Sequence, residues 1–316
     1  MVILGSGNVT YEVSGEEWGQ LPEGWVYGDA TSVAVDSHDN AFVFNRGGHP
    51  IIVYDSEGRF LRSWGEDIFS TPHGIAIGPD DSVYCADVGD HTVRKLTPEG
   101  EVLLTLGDPG NPAKAMSGKP LNLPTHVAVD PRNGEILVSD GYGNAKVHRY
   151  SPEGELMDSW GDSGTFPGTF NIVHNIAIDG DGMVYIADRD NHRIQVFEAD
   201  GTYVTQWVNL SRAACIYIDT RHRPRAYVGE YYAGGASNAA GQNLGPRVTI
   251  FDLAGNVVGR LGVDSYGDDP GRFYAPHGIS VDSKGDIYVA EVAWAEFNTI
   301  YPGKVFRSLQ KLVKQR

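Results

Sequence analysis

The 316-residue chain contains only two cysteines, Cys85 and Cys215. Two isolated cysteines cannot build the disulfide framework of a small secreted domain, and neither has a second cysteine nearby with which to form a metal-binding pair. We therefore expect both thiols to stay reduced and the protein to be cytoplasmic.

Long apolar runs and basic residues are also scarce. No stretch approaches the roughly 18 consecutive apolar residues of a membrane-spanning helix. The opening MVILGSGNVTYEV lacks the basic region and the apolar run of a secretory signal. Lys and Arg number 25 against 41 Asp and Glu, which gives a net charge of −16. Such a surface repels phosphate backbones, so we expect neither nucleic acid nor a membrane as a partner.

What the sequence does have is an internal repeat. Six related segments, spaced 40 to 63 residues apart, end at Asp36, Gly78, Asp130, Asp179, Asp219 and Asp282 and read ATSVAVD, TPHGIAIG, LPTHVAVD, IVHNIAID, RAACIYID and APHGISVD. A turn and a second strand such as NAFVFNR or MVYIADR follow each segment, and most repeats continue into a third and a fourth strand. Four short strands per repeat, separated by turns, are typical of β-propellers.

The repeat predicts an all-β, six-bladed β-propeller that occupies residues 1–316 as a single domain. Its element DNHRIQVF resembles the Asn-His-Arg-Ile element of the NHL repeat. The N-terminal VTYEVSGEEWG matches the end of a blade whose start is missing. We expect it to complete the sixth blade as the outer strand, which closes the ring and leaves no edge strand unpaired.

Three histidines recur at one position of this repeat. When the six segments are aligned on their last residue, the position holds Thr31, His73, Thr125, His174, Ala214 and His277. His126 falls one place later, and strand alternation predicts that it faces the other way. Histidine thus occupies blades 2, 4 and 6, which stand about 120° apart in a six-fold ring.

Three imidazoles at one height would converge, which is the geometry of a metal site with three protein ligands and an open coordination position. We predict that His73, His174 and His277 bind a metal. Zinc is the ion that we expect, although nickel, iron or copper also suit nitrogen donors.

Residues directly after each second strand should lie on the same face as the histidines. They include Arg46, Tyr142 and Arg189. Arginine suits bidentate binding of a carboxylate, and a tyrosine beside an arginine and a metal can act as a general base. We predict these three as catalytic residues and a small-molecule substrate that carries a carboxylate. Two long segments, 107–124 and 231–246, are expected to border the site and to set substrate choice.

The site-forming segments carry a family resemblance. VFNRGGH, STPHGIAI, VSDGYGNAKVHRY, NIVHNIAID, ADRDNHRIQVF and APHGISVD together resemble peptidyl-α-hydroxyglycine α-amidating lyase across all six repeats. That family uses zinc to cleave a carbinolamide into an amide and glyoxylate. The resemblance implies that the three histidines bind zinc, that Tyr142 is the catalytic tyrosine and that Arg46 and Arg189 are active-site arginines.

The chain departs from that family at two positions. Gly143 stands where animal members have a disulfide-bonded cysteine, which agrees with a reducing compartment. Gly278 stands where the family has an aspartate that binds a structural calcium, although the carbonyls of Val33 and Ile75 match the remaining ligands. The structural calcium is therefore doubtful. We also expect no monooxygenase domain before this one, which leaves the natural substrate open.

Three functions remain open on the sequence. The first is a metal-dependent lyase acting on a carbon that bears both a hydroxyl and a nitrogen, or a hydratase that runs the related addition to an imine. The second is a metal-dependent lactonase or other hydrolase, whose propeller sites usually use Asp, Glu and Asn with calcium. The third is a non-catalytic NHL scaffold that binds a protein. Three aligned histidines favour the first.

Overall fold

A computed structural model of the chain describes residues 1–15, 18–221, 223–231, 245–262 and 266–315. Its strands form six antiparallel sheets, the six blades of an all-β propeller, which confirms the predicted fold class. The chain divides into two compact units, Trp64–Asn209 on the one hand and Met1–Ser63 with Leu210–Arg316 on the other. Whether residues 1–316 act as one domain stays a prediction.

The strands are short, four to eight residues each. The first half of the chain contains β1 (Ile3–Ser6), β2 (Val9–Val13), β3 (Ala30–Val35), β4 (Ala41–Asn45), β5 (Ile51–Tyr54), β6 (Phe60–Trp64), β7 (Pro72–Ile77), β8 (Val83–Asp87), β9 (Thr92–Leu96), β10 (Val102–Leu106), β11 (His126–Val129), β12 (Ile136–Asp140), β13 (Lys146–Tyr150) and β14 (Leu156–Trp160). The second half contains β15 (Val173–Ile178), β16 (Val184–Asp188), β17 (Arg193–Phe197), β18 (Tyr203–Trp207), β19 (Arg212–Asp219), β20 (Arg225–Tyr231), β21 (Arg247–Phe251), β22 (Val257–Leu261), β23 (Pro276–Val281), β24 (Ile287–Glu291) and β25 (Leu309–Lys314).

Among the described residues, the α-helix α1 (Ala293–Phe297) follows β24, and a 3-10 turn spans Arg189–Asn191. In the part of the chain that the structure describes, no helix has the length and apolar character needed to cross a membrane.

Blades 2, 3 and 4 make up the unit Trp64–Asn209, with sheets β7–β10, β11–β14 and β15–β18. Their second strands β8, β12 and β16 are buried at every position, whereas the outermost strands β10 and β14 begin with exposed residues. Apolar clusters join the blades: Tyr84 and Val127 belong to one cluster, and Val147 and Ile176 belong to another. The second strands therefore appear in the sequence as near-continuous apolar runs, since both of their faces are covered.

The other unit contains the blade that combines both ends of the chain. Its sheet order is β1–β2–β25–β24–β23, with Tyr11 opposite Lys314 and Val13 opposite Leu312. The predicted closure of the sixth blade by the N-terminal segment is confirmed. The sequence missed one strand, because β1 pairs outside β2 and makes this sheet five-stranded.

A buried carboxylate fixes the site-facing end of most blades. In five blades an acid is the last or next-to-last residue of the second strand, and the side chains concerned are Asp87, Asp140, Asp188, Glu230 and Glu291. Each accepts a main-chain N–H from the segment that leads into the innermost strand, as Asp140 does from Asn122 at 3.0 Å and Asp188 from Asn171 at 2.8 Å. Burial raises the pKa of Asp188. These acids tie the start of the first strand to the end of the second, where the predicted site residues lie.

Candidate metal centre

Each of the three predicted metal-binding histidines is the extra residue of a β-bulge. The strand pairing skips from Pro72 to Gly74 in β7, and the same shift occurs around His174 in β15 and His277 in β23. A bulge leaves its extra residue outside the ladder and redirects the side chain. The sequence alignment found the common position but not the bulge. Simple strand alternation therefore does not describe the direction of these side chains.

The three histidines are buried. His73, His174 and His277 are 1–4 % exposed. His73 and His174 belong to the unit Trp64–Asn209, where their ring centres lie 5.0 Å apart, and His277 belongs to the other unit. Three imidazoles are the ligand set of zinc sites that keep an open fourth position. This group could hold a metal ion.

Backbone carbonyls hold two of these imidazoles in the tautomer that a metal requires. His73 Nδ1 lies 2.6 Å from the carbonyl oxygen of Thr125, and His277 Nδ1 lies 2.6 Å from that of Thr31. A carbonyl only accepts, so Nδ1 carries the proton and the neutral ring presents its lone pair at Nε2. Thr31 and Thr125 occupy the repeat position of the histidines in blades 1 and 3. The alternation of Thr and His thus pairs each of these two histidines with the carbonyl of the next blade.

Tyr142 lies against two of the histidines. Its phenol oxygen is 3.1 Å from Nε2 of His73 and 3.0 Å from Nε2 of His174, and its side chain is partly exposed. The preceding Gly141 permits this approach, because a Cβ there would lie 2.0 Å from the carbonyl oxygen of Val173. The sequence DGYG, residues 140–143, therefore forms a turn that packs closely against the strand that carries His174. We call this segment the tyrosine turn.

Arg189 completes this group. The residue is buried, its Nη1 donates to the phenol oxygen of Tyr142 at 3.2 Å, and its Cζ lies 5.6 Å from the centre of the Tyr142 ring. Its main-chain N–H donates to the carbonyl of Ile172 at 3.1 Å, which holds the 3-10 turn beside β15. The structure thus brings together His73, Tyr142, His174 and Arg189, all within the unit Trp64–Asn209.

Arg46 belongs to the other unit and lies at the end of β4. Its main-chain N–H donates to the carbonyl of Asp29 at 2.8 Å. Burial raises the pKa of Asp29 to about 6, while the charge of Arg46 and the N–H groups of Trp294 and Ala295 act in the opposite direction. A catalytic role for Arg46 stays a prediction.

Arg212 is a residue that the sequence analysis missed. It pairs with Tyr231 across β19 and β20, and its Cζ lies 5.2 Å from the centre of the Tyr231 ring. The Tyr231 ring in turn lies 6.0 Å from the ring of His277. The sequence offered one signal for Arg212: it stands two residues before Ala214, which occupies the histidine position of the fifth repeat. Most of the predicted border segment 231–246 lies outside the described residues.

Two other histidines are separate from the metal centre. Burial lowers the pKa of His126 to about 4, and this residue does not belong to the histidine cluster. Nδ1 of His148 lies 2.7 Å from Ser159 Oγ, and its Nε2 lies 3.2 Å from Asp140 Oδ2. This arrangement resembles a Ser-His-Asp triad. The counterpart of His148 in the next blade, Gln195, binds the buried Asp188 at 3.0 Å in the same way. The contact of His148 is therefore part of the repeated carboxylate network.

Gly278 lies in a space that excludes a side chain. A Cβ at this position would be 2.4 Å from Cα of Ser32 and 2.9 Å from its Oγ. The carboxylate that the resemblance associates with calcium therefore has no room here, in agreement with the doubt that the sequence raised.

Comparisons with known proteins give relatives by sequence and likenesses by fold. A family model of the NHL repeat matches residues 69–96 and 170–197. These two segments are NHL repeats. The chain is 31% identical over 250 residues to peptidyl-alpha-hydroxyglycine alpha-amidating lyase 1 of Drosophila melanogaster, and this alignment covers 74% of the chain and 45% of that protein. It is 34% identical over 205 residues to NHL repeat-containing protein 3 of Homo sapiens, and this alignment covers 61% of the chain and 58% of that protein.

The chain thus spans about half the length of these two curated relatives. Among solved structures, a streptogramin B lyase superposes with a TM-score of 0.61 over 99% of this chain and 98% of its own, at 11% identity. That likeness shows the six-bladed fold alone. The resemblance to the amidating lyases is confirmed at about 30% identity, and the buried histidine triad accompanies it.

Proposed function

We propose that this protein is a metal-dependent lyase that cleaves the C–N bond of a carbinolamide, or runs the related hydration of an imine. One observation carries the proposal: the phenol oxygen of Tyr142 lies 3.0–3.2 Å from Nε2 of His73, Nε2 of His174 and Nη1 of Arg189. A phenol, two imidazoles and a guanidinium around one point provide proton transfer and charge stabilisation together.

The histidine triad is the proposed metal site. Neutral imidazole ligands with an open fourth position suit zinc, and a bound divalent ion would polarise and acidify a substrate hydroxyl. The carbonyls of Thr125 and Thr31 keep the Nε2 atoms of His73 and His277 unprotonated for this purpose.

Tyr142 is the proposed proton carrier. In the cleavage direction it removes the proton of the substrate hydroxyl, the C–N electron pair leaves with the nitrogen, and the hydroxyl-bearing carbon becomes an aldehyde. The same proton then passes from Tyr142 to the departing nitrogen, so that the products are an amide and an aldehyde such as glyoxylate. Hydration of an imine would use the same groups in a different step: Tyr142 takes a proton from water, the water oxygen bonds to the imine carbon, and the proton passes to the imine nitrogen.

Arg189 and Arg46 are the proposed carboxylate-binding groups. Arg189 donates to Tyr142 through Nη1 and contacts Asp190 through Nε at 3.4 Å and Nη2 at 3.5 Å. A substrate carboxylate would bind this guanidinium in competition with Asp190. We propose a small molecule with a carboxylate as the substrate class.

The deciding experiment is turnover of an N-acyl-α-hydroxyglycine by the purified, untagged protein. We expect equimolar amide and glyoxylate, measured by liquid chromatography and an aldehyde assay, with the Tyr142→Phe variant as the inactive control. Parallel assays with an imine, a lactone and an ester separate the candidate reactions. Hydrolysis of the lactone or ester without carbinolamide cleavage would favour the hydrolase and refute the lyase. Failure of every substrate would favour the scaffold.

A further inference from the structure

The residue after Tyr142 is held on both sides by the loop that connects blades 2 and 3. Met116 N–H donates to the carbonyl of Gly143 at 2.8 Å, and Gly143 N–H donates to the carbonyl of Asn122 at 3.0 Å. A Cβ on Gly143 would lie 2.1 Å from Oδ1 of Asn122. The loop and the tyrosine turn are therefore in direct contact.

Asn122 is the fixed point of this loop. It is buried, its main-chain N–H donates to both oxygens of Asp140 at 3.0 and 3.1 Å, and its Nδ2 donates to the carbonyl of Ala113 at 2.6 Å. Ala113 N–H returns a hydrogen bond to the carbonyl of Leu121 at 3.0 Å. One side chain therefore holds together the two ends of the segment 113–122.

A second asparagine joins the same loop to the other side of the tyrosine turn. Asn144 Nδ2 donates to Oδ2 of Asp140 at 2.7 Å and to the carbonyl of Lys119 at 3.0 Å, and its Oδ1 accepts from Gly118 N–H at 3.3 Å. Asp140 thus binds both asparagines, and the loop contacts the two residues that follow Tyr142. We call Asn122, Asp140 and Asn144 the loop clasp.

The clasp matters because Tyr142 is partly exposed and lies on a turn, yet its phenol oxygen must stay within hydrogen-bond reach of His73, His174 and Arg189. A displacement of about 1 Å at a reacting group lowers turnover by roughly 100-fold. Hydrogen bonds to the neighbouring main chain are the contacts that set the position of this turn.

We infer that Asn122 is a positioning residue for Tyr142, acting through the main chain of Gly143 and the loop 113–122. The inference deepens the proposed function, on which its kinetic test rests. Its amide donor is the critical group, because the N–H to Ala113 closes the loop.

The test compares Asn122→Ala and Asn122→Asp with the matched control Asn111→Ala. Asn111 lies on the same connection and is exposed, and its side chain donates a long 3.4 Å hydrogen bond to the carbonyl of Pro109. Its main-chain N–H bond to Asp108 is kept in the alanine variant. Asp keeps the shape of Asn but cannot donate to a carbonyl. Fluorotyrosine-labelled protein gives a ¹⁹F spectrum in which the Tyr142→Phe variant identifies the Tyr142 line.

We expect both Asn122 variants to shift or broaden the Tyr142 line and to lower kcat by roughly 10- to 100-fold, with little change in KM or metal content. The Asn111→Ala variant should match the wild type in all four measurements. A Tyr142 line and a kcat that stay unchanged in Asn122→Ala would overturn the inference. The inference would also be overturned if kcat fell only in proportion to the fraction of protein that is folded and metal-bound. If the wild type turns over no substrate, the proposed function fails, and the ¹⁹F comparison alone decides the role of Asn122.

Discussion

The phenol oxygen of Tyr142 lies 3.0 Å from Nε2 of His174. The two residues are 32 positions apart and come from adjacent blades, and Gly141 allows the tyrosine turn to approach the strand of His174. The proposed proton carrier and a candidate metal ligand are thus in direct contact.

Changing Tyr142 to Phe should remove the proton carrier and retain the ring. We expect kcat to fall by about 10²- to 10⁴-fold, as is typical for loss of a general base. Metal content, measured by elemental analysis, should not change. Tyr203→Phe, on β18 of the same unit, is the matched control and should keep full activity. Retained turnover in Tyr142→Phe would exclude this role.

The histidine triad should bind one divalent transition metal per chain. Mutation of a residue that only hydrogen-bonds a metal ligand lowers metal affinity by about 10- to 100-fold. We therefore expect loss of a ligand itself, in His174→Gln, to weaken zinc binding by more than about 100-fold. Titration with zinc, followed by calorimetry, measures the difference. His38→Gln removes an exposed histidine and is the control. Equal zinc affinity of the two variants would show that the triad is not the site.

Arg189→Lys should impair binding of a carboxylate substrate. Lysine keeps the charge but loses the planar donors, and a hydrogen bond to a charged group contributes about 1.5–3 kcal/mol, or roughly 10- to 100-fold in kcat/KM. Arg59→Lys, an exposed ion-pair residue, provides the control. The loss should shrink for substrate analogues in which an amide replaces the carboxylate. An equal loss for both substrates would argue against carboxylate binding by Arg189.

Gly143→Ala should disturb the contact with the loop. The added Cβ would lie 2.1 Å from Oδ1 of Asn122, and overpacking of this kind destabilises by about 1–3 kcal/mol. We expect a lower midpoint in urea unfolding together with reduced turnover. Gly180→Ala is the matched control, since a Cβ there has no neighbour within 4 Å. An unchanged midpoint would mean that the loop adjusts without cost.

Asp29 should make stability fall as the pH rises through about 6. Burial raises its pKa from 3.8 to about 6 in the folded protein, so the folded state binds the proton more tightly than the unfolded state does. The resulting contribution is full below pH 3.8 and is lost above pH 6, with a size of about 3 kcal/mol for two pKa units. Urea unfolding at pH 4.5 and 7 should show this loss in the wild type and a smaller one in Asp29→Asn. The exposed Asp67→Asn should behave like the wild type, and equal pH dependence in all three proteins would contradict the prediction.

Much of the fold could be predicted from the sequence, because the repeat has a local physical cause. Each blade needs apolar second strands and turns at fixed spacing, and these are visible in segments such as MVYIADR. The N-terminal segment was assigned to the sixth blade for the same reason, since an incomplete blade leaves an open edge. The extra strand β1 was missed because Ile3–Ser6 is mostly exposed and carries little apolar pattern.

The sequence by itself determined which residue types occupy equivalent positions, and hence that His73, His174 and His277 form one set. Only the tertiary structure decided how they act together. The bulges that redirect these histidines arise where two strands of one blade pair. The carbonyls of Thr31 and Thr125 that fix two of their tautomers, and the hydrogen bond between Asn122 and Gly143, join residues from different blades or loops. Such contacts depend on distances between segments far apart in the chain, which a local sequence pattern does not contain.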